Sequence, residues 1–256
     1  MHSQTQQSGH LEEKGGHLED DVDENMRDIV MNFERKPWHD ADGPSRIAEM
    51  LRCSYEAIKD PSKADMVSAV GDLSGTRALR LMRTKMKNDK EGRLILEQRP
   101  RMKIENCDFE SLGKLPQNTF GYHYWKFMAH YNFSPNERPL VKYVPDMELA
   151  YIMQRYKENH DFIHVLLNLG IEIEDELAVK AFEMLQTGIP MTSFSLLTGP
   201  FLLSLPQLKR LYVDYLPWIT EIAHDSKFYL SIYFEKYFEK DIDEMRYELG
   251  VVPYSQ

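Results

Sequence analysis

Apolar side chains recur at intervals of three and four residues along most of the chain, which is typical of helices with one buried face. The first such segment is GPSRIAEMLRCSYEAIKDP, where Ile47, Leu51 and Tyr55 share one face and Pro61 ends the pattern. Similar patterns follow in EGRLILEQ and in the aromatic segment GYHYWKFMAHYNF. No segment shows the sustained apolar–polar alternation of a strand. The pattern therefore predicts an all-α fold, a single multi-helix domain over residues 42–256.

The first forty-one residues lack this periodicity. Residues 1–30 contain eight acidic residues against two basic ones, Lys14 and Arg27, and have no apolar run. A secretory signal needs an apolar region, and a mitochondrial presequence is rich in arginine and poor in acids, so neither is indicated. We therefore expect residues 1–41 to form a disordered acidic leader.

A helical hairpin is predicted in the second half of the chain. Residues 146–169, DMELAYIMQRYKENHDFIHVLLNL, form one long helical pattern with an acidic start. Gly170 is suited to end that helix, and a second helical pattern begins near Glu174. The short connection implies two helices that pack side by side.

Potential metal ligands lie on this hairpin. At about 100° per residue, His160, His164 and Asp161 project at roughly 0°, 40° and 100°, from one sector of the first helix. The returning helix would bring Glu176 back toward them. Imidazole nitrogens and carboxylate oxygens are ligands of Zn²⁺ and the later first-row metals, with open positions left for water or substrate. A solvated polar face would give the same pattern, so the spacing leaves both interpretations open.

Two known kinds of metal enzyme can be compared with this pattern. Zinc proteases of the HExxH type carry a glutamate directly after the first histidine, and the shorter Asp161 stands there instead, which disfavours protease chemistry. HD-type phosphohydrolases combine a His-Asp pair with an upstream histidine and a downstream aspartate. His123 or His130 and Asp214 or Asp225 are candidates for those positions, so this class remains an alternative.

Charge and cysteine content restrict the function further. The 256 residues contain 41 acidic and 31 basic side chains, a formal charge of -10, which argues against nucleic-acid binding through phosphate neutralisation. Locally, residues 77–103 contain ten basic and three acidic residues, which would attract anionic lipid headgroups or acidic partners. The same stretch could equally be a solvated helix pair. Two distant cysteines, Cys53 and Cys107, fit a reducing compartment.

The chain resembles a known family along most of its length. The string HDFIH, followed by eleven residues and Glu176, matches the HDxxHx11E motif of the ubiquinone (coenzyme Q) biosynthesis protein 4 homologues. Further blocks agree in the family's order between Gly43 and Pro253: GDLSGTRAL, DKEGRLILEQRPRM, DMELAYIMQRYKENHD, FEMLQTGIPM, the Gly-Pro pair at 199–200 and YFEKYFEKDIDEMRYELGV. The turn GIEIEDE is more acidic than is usual in that family.

The resemblance implies a peripheral protein on the matrix side of the mitochondrial inner membrane, in a complex with other ubiquinone-biosynthesis enzymes. The family role is that of a carboxy-lyase, which removes the ring carboxylate from a polyprenylated hydroxybenzoate; some accounts couple this step to hydroxylation of the same carbon. By the same resemblance His160, Asp161, His164 and Glu176 bind zinc or another divalent metal, and no further catalytic residue is assigned. The alternative is a non-catalytic organiser that holds a lipid intermediate for partner enzymes.

A long uncharged segment bears on the prenylated precursor. The twenty-five residues between Glu183 and Lys209 contain no charged side chain, but Pro190, Pro200 and Pro206 would break a membrane-spanning helix. We therefore expect a broken pair of apolar helices. This pair would contact an isoprenoid tail or the bilayer, or it would belong to the ordinary core.

Overall fold

The structure is a computed structural model, which describes residues 23–35, 43–59, 70, 74–103 and 108–255. Within these ranges the chain forms thirteen α-helices, joined by short 3₁₀ turns and one π-helical segment, Arg210–Tyr215. The helices are α1 Glu24–Asn32, α2 Gly43–Lys59, α3 Thr76–Asn88, α4 Lys90–Gln98, α5 Phe109–Leu112, α6 Phe120–Tyr131, α7 Met147–Glu158, α8 His160–Leu167, α9 Ile173–Thr187, α10 Pro190–Thr198, α11 Leu205–Lys209, α12 Leu216–Asp225 and α13 Ile242–Leu249.

The predicted all-α class is confirmed. The described residues contain no strand, and one isolated antiparallel bridge joins Thr119 to Asp241. None of the helices in these ranges combines the length and the apolar character that crossing a bilayer requires.

The core is built around α8, whose eight residues are all buried. Aromatic rings surround its first turn: the Phe162 ring lies 4.5 Å from that of Tyr124 on α6 and 4.7 Å from that of Phe234. The helix α9 returns beside α8 and packs against α10 and α12. The first helix of the predicted hairpin thus lies in the core, and its polar side chains are surrounded by packed residues.

The long helix expected over residues 146–169 is interrupted. It divides at Asn159 into α7 and α8, because the ψ angle of Asn159 is -7°, well away from the α-helical value. The end of α8 also differs from the prediction. Asn168, with φ of 58°, adopts the left-handed conformation that ends the helix, two residues before Gly170.

Part of the predicted leader is ordered. Residues Glu24–Asn32 form α1, in which Met26 and Ile29 are buried in the core, so the prediction of disorder is wrong for this helix. The carboxylate of Asp28 accepts a 2.7 Å hydrogen bond from the buried guanidinium of Arg101, which fixes α1 to the domain. Residues 1–22 and 36–42 lie outside the described ranges.

The uncharged segment forms a broken set of helices, as predicted. It contains α10, a 3₁₀ turn at Gly199–Leu202 and the short α11. Gly199 packs closely against α9, because a Cβ atom there would lie 2.4 Å from the end of the Leu177 side chain, which would have to move. The outer side chains are exposed rather than part of the core; they are Leu197, Phe201, Leu202 and Leu205.

Candidate metal centre

Three side chains converge where α8 lies beside α9. The Nε2 atoms of His160 and His164 are 3.2 Å apart. The Glu176 carboxylate faces both nitrogens, with Oε2 lying 3.4 Å from His160 and Oε1 lying 3.4 Å from His164, so the three side chains form a triangle. Among the described residues these are the His, Cys, Asp and Glu side chains that come close enough to hold one ion.

The size of this triangle fits a tetrahedral metal ion. Two ligand atoms at about 2.0–2.1 Å from zinc are about 3.3–3.4 Å apart in tetrahedral geometry. The 3.2 Å between the two Nε2 atoms is close to one edge of such a tetrahedron, and an oxygen of Glu176 lies 3.4 Å from each of them. The fourth position would remain open for water or substrate.

Both imidazole rings are oriented by hydrogen bonds to their other nitrogen. The Nδ1 atom of His160 lies 2.7 Å from Oε1 of Glu183, and that of His164 lies 2.8 Å from the carbonyl oxygen of Gly170. Both acceptors favour a proton on Nδ1, which leaves a lone pair on each Nε2. Two lone pairs that face each other at 3.2 Å repel, and either a proton on one Nε2 or a metal ion between them relieves this repulsion.

The connection between α8 and α9 places the carbonyl of Gly170. The left-handed Asn168 turns the chain back over the last turn of α8, so that Gly170 comes within reach of His164. The amide of Gly170 donates to Asp175, whose other oxygen accepts a 2.6 Å hydrogen bond from the hydroxyl of Tyr215. A Cβ atom on Gly170 would lie 2.9 Å from Asp175, so a larger residue would disturb this turn.

The carboxylates of the centre are held in the charged form. Burial opposes ionisation of Glu176, but hydrogen bonds and charge from both imidazoles lower its pKa well below the usual range. For His160, burial and the charge of Lys180 lower the pKa, and the two glutamates outweigh them and raise it. Protons compete with a metal ion for the Nε2 lone pairs, so metal affinity should fall as the pH falls.

The fourth predicted ligand lies elsewhere. Asp161 is not part of the triangle: about 100° of rotation from His160 turns its buried carboxylate toward Arg138, with which it forms a half-buried ion pair. Nor do the residues suggested for an HD-type site join the group in the described structure. His123 lies beside the acidic start of α13 instead, and Asp214 and Asp225 are exposed.

The residues that support the ligands were not among those predicted from the helical spacing. Glu183 is fully buried and accepts hydrogen bonds from the Tyr156 hydroxyl at 2.8 Å and the Lys180 ammonium at 2.9 Å, besides its contact with His160. It lies seven residues after Glu176, two helical turns along the same face of α9, and that spacing was the available signal. No comparable spacing in the sequence indicates that the loop residue Arg138 lies near the ligands.

We expect Glu183→Gln to weaken metal binding by about 10- to 100-fold, the usual effect of losing a carboxylate that orients a histidine ligand. The neutral amide can present its NH₂ group to Nδ1 of His160, which would move the imidazole proton to Nε2 and block the metal-binding lone pair. The affinity can be measured by competition with a chelator of known zinc affinity.

A matched control exists in Glu158→Gln. Glu158 is likewise a buried carboxylate, but it pairs with Arg101 and contacts none of the three ligands. This variant should lower the free energy of unfolding and leave metal affinity within about twofold of the original protein. Equal loss of affinity in both variants would contradict an orienting role for Glu183.

Comparisons with known proteins identify the family and the fold of this chain. Residues 42–255 match the family model described as coenzyme Q (ubiquinone) biosynthesis protein Coq4. The chain is 40% identical to the mitochondrial ubiquinone biosynthesis protein COQ4 homolog of Bos taurus, over 76% of this chain and 74% of that protein. It is 43% identical to the mitochondrial COQ4 homolog 2 of Paramecium tetraurelia, over 77% of this chain and 99% of that protein.

A solved structure shares the fold. The crystal structure of a putative ubiquinone biosynthesis protein from Nostoc punctiforme superposes with a TM-score of 0.62, over 82% of this chain and 98% of that one, at 18% identity. At that identity the likeness shows the fold alone. From the family model and the relatives together, the chain belongs to the coenzyme Q (ubiquinone) biosynthesis protein Coq4 family.

Proposed function

We propose that this protein acts in ubiquinone biosynthesis as a metal-dependent carboxy-lyase, which removes the ring carboxylate of a polyprenylated hydroxybenzoate. One observation carries this proposal: the two Nε2 atoms lie 3.2 Å apart and each is 3.4 Å from an oxygen of the Glu176 carboxylate, while the Nδ1 atom of each imidazole is hydrogen-bonded. Such a pre-oriented group is expected of a catalytic metal centre with an open position.

Each side chain has a distinct part in this chemistry. A divalent ion, when bound, supplies Lewis acidity toward the phenolate or carboxylate oxygens of the ring. His160 and His164 would hold it through Nε2 and Glu176 through its carboxylate. The bond between the ring carbon and the carboxylate breaks, CO₂ leaves, and the electron pair on the ring takes up a proton. Hydroxylation of the same carbon would instead consume dioxygen, and zinc cannot change redox state.

The apolar surface beside the centre supports a prenylated substrate. Phe201 and Leu205 are 89% and 81% exposed. The segment that carries them is tied to α9, because Gln207 and Arg210 both bind Glu174, two residues before Glu176. An isoprenoid tail or a bilayer surface would cover such side chains.

The names of the relatives and this apolar surface support the proposed location. The curated relatives are named mitochondrial. We place the protein as a peripheral component on the matrix side of the inner membrane, in contact with other ubiquinone-biosynthesis enzymes. Arg83, Lys87 and Arg101 of the basic stretch form ion pairs within the fold, so the apolar surface is the stronger argument for membrane contact.

The test is a product assay with the purified, zinc-loaded protein and a prenylated 4-hydroxybenzoate in detergent, with and without dioxygen. We expect Glu176→Gln to lower product formation by at least about tenfold, about 1.4 kcal/mol in activation free energy, because a charged ligand is lost. Glu172→Gln, the same change at an exposed position on the same turn, should leave turnover unaltered. Unchanged turnover in Glu176→Gln would contradict the proposed chemistry.

The organiser role has a different outcome in the same assay. The exposed apolar surface would hold a lipid whether or not the protein is an enzyme. Binding of the prenylated compound without turnover, in a preparation with one metal ion per chain, would favour the organiser.

A further inference from the structure

The turn between α8 and α9 orients one metal ligand through a backbone group. The Nδ1 atom of His164 lies 2.8 Å from the carbonyl oxygen of Gly170. The other histidine ligand, His160, instead faces the buried carboxylate of Glu183. Glu183 projects from the middle of α9, where helical hydrogen bonds fix its backbone, whereas Gly170 lies in the connection, outside both helices. The orientation of His164 therefore depends on what holds Gly170.

Asp175, in the first turn of α9, holds Gly170 by its amide. The Oδ2 atom of Asp175 accepts a 3.1 Å hydrogen bond from that amide. With the amide anchored and α9 beginning at Ile173, little rotational freedom is left for the carbonyl of Gly170. The approach is close, since a Cβ atom on Gly170 would lie 2.9 Å from the same carboxylate oxygen. Glycine thus lets the Asp175 side chain reach the backbone of the turn.

Tyr215 holds the other oxygen of this carboxylate. Its hydroxyl donates a 2.6 Å hydrogen bond to Oδ1 of Asp175, and both residues are buried. Burial and the neighbouring carboxylate raise the pKa of Tyr215, so the hydroxyl keeps its proton and remains a donor. Asp175 forms no ion pair with any residue that the structure describes. The two hydrogen bonds are therefore what satisfies a carboxylate that is 7% exposed.

The C-terminal segment anchors both Tyr215 and the turn. The ring of Tyr254 meets that of Tyr215 edge to face, with centroids 4.7 Å apart. The amide of Tyr254 donates to the carbonyl of Leu167 at 2.9 Å, and its carbonyl accepts a 3.1 Å hydrogen bond from the side chain of Asn168. The tyrosine that binds Asp175 and the turn that carries Gly170 are thus fixed to the same segment.

We propose that Asp175 and Tyr215 are positioning residues for the metal ligand His164. Tyr215 fixes the carboxylate, the carboxylate fixes the amide of Gly170, and the carbonyl of Gly170 holds the imidazole with its Nε2 atom toward the metal. Groups behind a ligand commonly set the orientation and the basicity of a metal-binding imidazole. The inference rests on the metal centre of the proposed function, but not on the carboxy-lyase chemistry.

The first test measures zinc affinity by competition with a chelator. We expect Asp175→Ala to weaken zinc binding by about tenfold and Tyr215→Phe by about fivefold, because outer groups that orient a ligand contribute about 10- to 100-fold and Tyr215→Phe leaves one link intact. Asp175→Asn can still accept from the Gly170 amide through Oδ1 and donate to the Tyr215 oxygen through Nδ2, so its affinity should stay within about twofold of the original. An equal loss in Asp175→Asn and Asp175→Ala would assign the effect to charge and overturn the inference.

The second test separates positioning from a general loss of structure. In the zinc-saturated protein, nuclear magnetic resonance can follow the exchange of each imidazole Nδ1 proton with water. Tyr215→Phe should speed the exchange of the His164 proton by about tenfold, because its acceptor is no longer held in place. The proton of His160, held by Glu183, should exchange at the original rate and serves as an internal control. A structural defect alone would affect both protons.

Tyr151→Phe is the matched control. Tyr151 is a buried tyrosine whose hydroxyl donates to the carbonyl of Pro100 at 3.0 Å, and it belongs neither to the turn nor to the converging ligands. Each substitution removes one hydroxyl from a buried ring, so the free energies of unfolding should fall by similar amounts while only Tyr215→Phe loses zinc affinity. Equal zinc affinity in these two variants, or equal changes in the exchange of the two imidazole protons, would overturn the inference.

Failure of this inference differs from failure of the proposed function. If the original protein bound zinc and decarboxylated the substrate, but Asp175→Ala and Tyr215→Phe bound zinc as tightly, only the positioning roles would be refuted. If zinc bound without turnover, the carboxy-lyase proposal would fail, and zinc affinity and proton exchange would still decide the positioning roles. If the original protein bound no zinc, both would be refuted, because there would be no ligand to position.

Discussion

The double variant His160→Ala, His164→Ala should contain no stoichiometric divalent metal after purification, whereas the original protein should contain about one ion per chain. Two of the three converging ligand atoms are removed, and a single carboxylate does not hold a borderline metal tightly. Inductively coupled plasma mass spectrometry on dialysed protein measures the metal content. The same measurement identifies the metal, which neither the distances nor the donor types distinguish from other late first-row ions.

The matched control is His130→Ala, His224→Ala. Both of these histidines are exposed, and neither belongs to the converging group. Because each double variant loses two imidazoles, any effect of histidine number on adventitious metal is the same in both. Equal metal content in the two variants, with circular dichroism spectra like that of the original protein, would refute the site.

The helical pattern predicted most of the fold, because apolar spacing at three and four residues reports directly on which face is buried. The helical pattern does not show whether a given apolar face packs against the core. Ile47, Leu51 and Tyr55 share the predicted face of α2, yet all three are exposed. Periodicity shows that a helix is amphipathic, but it does not show whether a partner covers the apolar face.

The metal triangle, too, could be predicted only in part from helical spacing. Helical rotation placed His160 and His164 together, and the short turn returned Glu176 to them. The same helical rotation grouped Asp161 with the two histidines, although Asp161 projects about 100° away from His160. What decides the position of Asp161 is Arg138, twenty-three residues earlier in a loop, and local spacing carries no information about such a contact.

The leader prediction failed at α1 for an energetic reason. Composition alone makes residues 24–32 polar and acidic, but Met26 and Ile29 lie on one face, and Asp28 meets the buried cation of Arg101. A buried guanidinium needs anionic partners, and the acidic segment supplies one of them. Acidity that suggests disorder in isolation is thus part of a buried ion network in the folded protein.

A second buried cation gives the prediction with the largest effect on folding. The Arg155 side chain on α7 is 1% exposed, and its Nη1 and Nη2 atoms donate to Glu235 at 2.9 and 3.2 Å. Nη2 also donates to the carbonyl of Ile232 at 2.9 Å. This contact joins the helix that leads into His160 to the C-terminal segment, and Glu235 supplies the compensating charge.

We expect Glu235→Ala to lower the free energy of unfolding by about 3–5 kcal/mol, because it leaves the guanidinium of Arg155 buried without its counter-charge. The double variant Arg155→Met, Glu235→Ala should recover part of that loss, since removing both charges ends the desolvation cost while the unbranched Met fills much of the space. Urea denaturation of the original protein, both single variants and the double variant yields the coupling energy.

The exposed pair of Lys240 and Glu248 is the control for this cycle. Glu248 is 53% exposed at its side chain, so Glu248→Ala should change the free energy of unfolding by less than about 1 kcal/mol. Suppose that Glu235→Ala were no more destabilising than Glu248→Ala. The charge of the Arg155 guanidinium would then be compensated by other groups or by water, and the buried pair would not hold α7 in place. A large loss in Glu235→Ala with partial recovery in the double variant would show that charge compensation, rather than packing alone, fixes the helix that precedes the metal ligands.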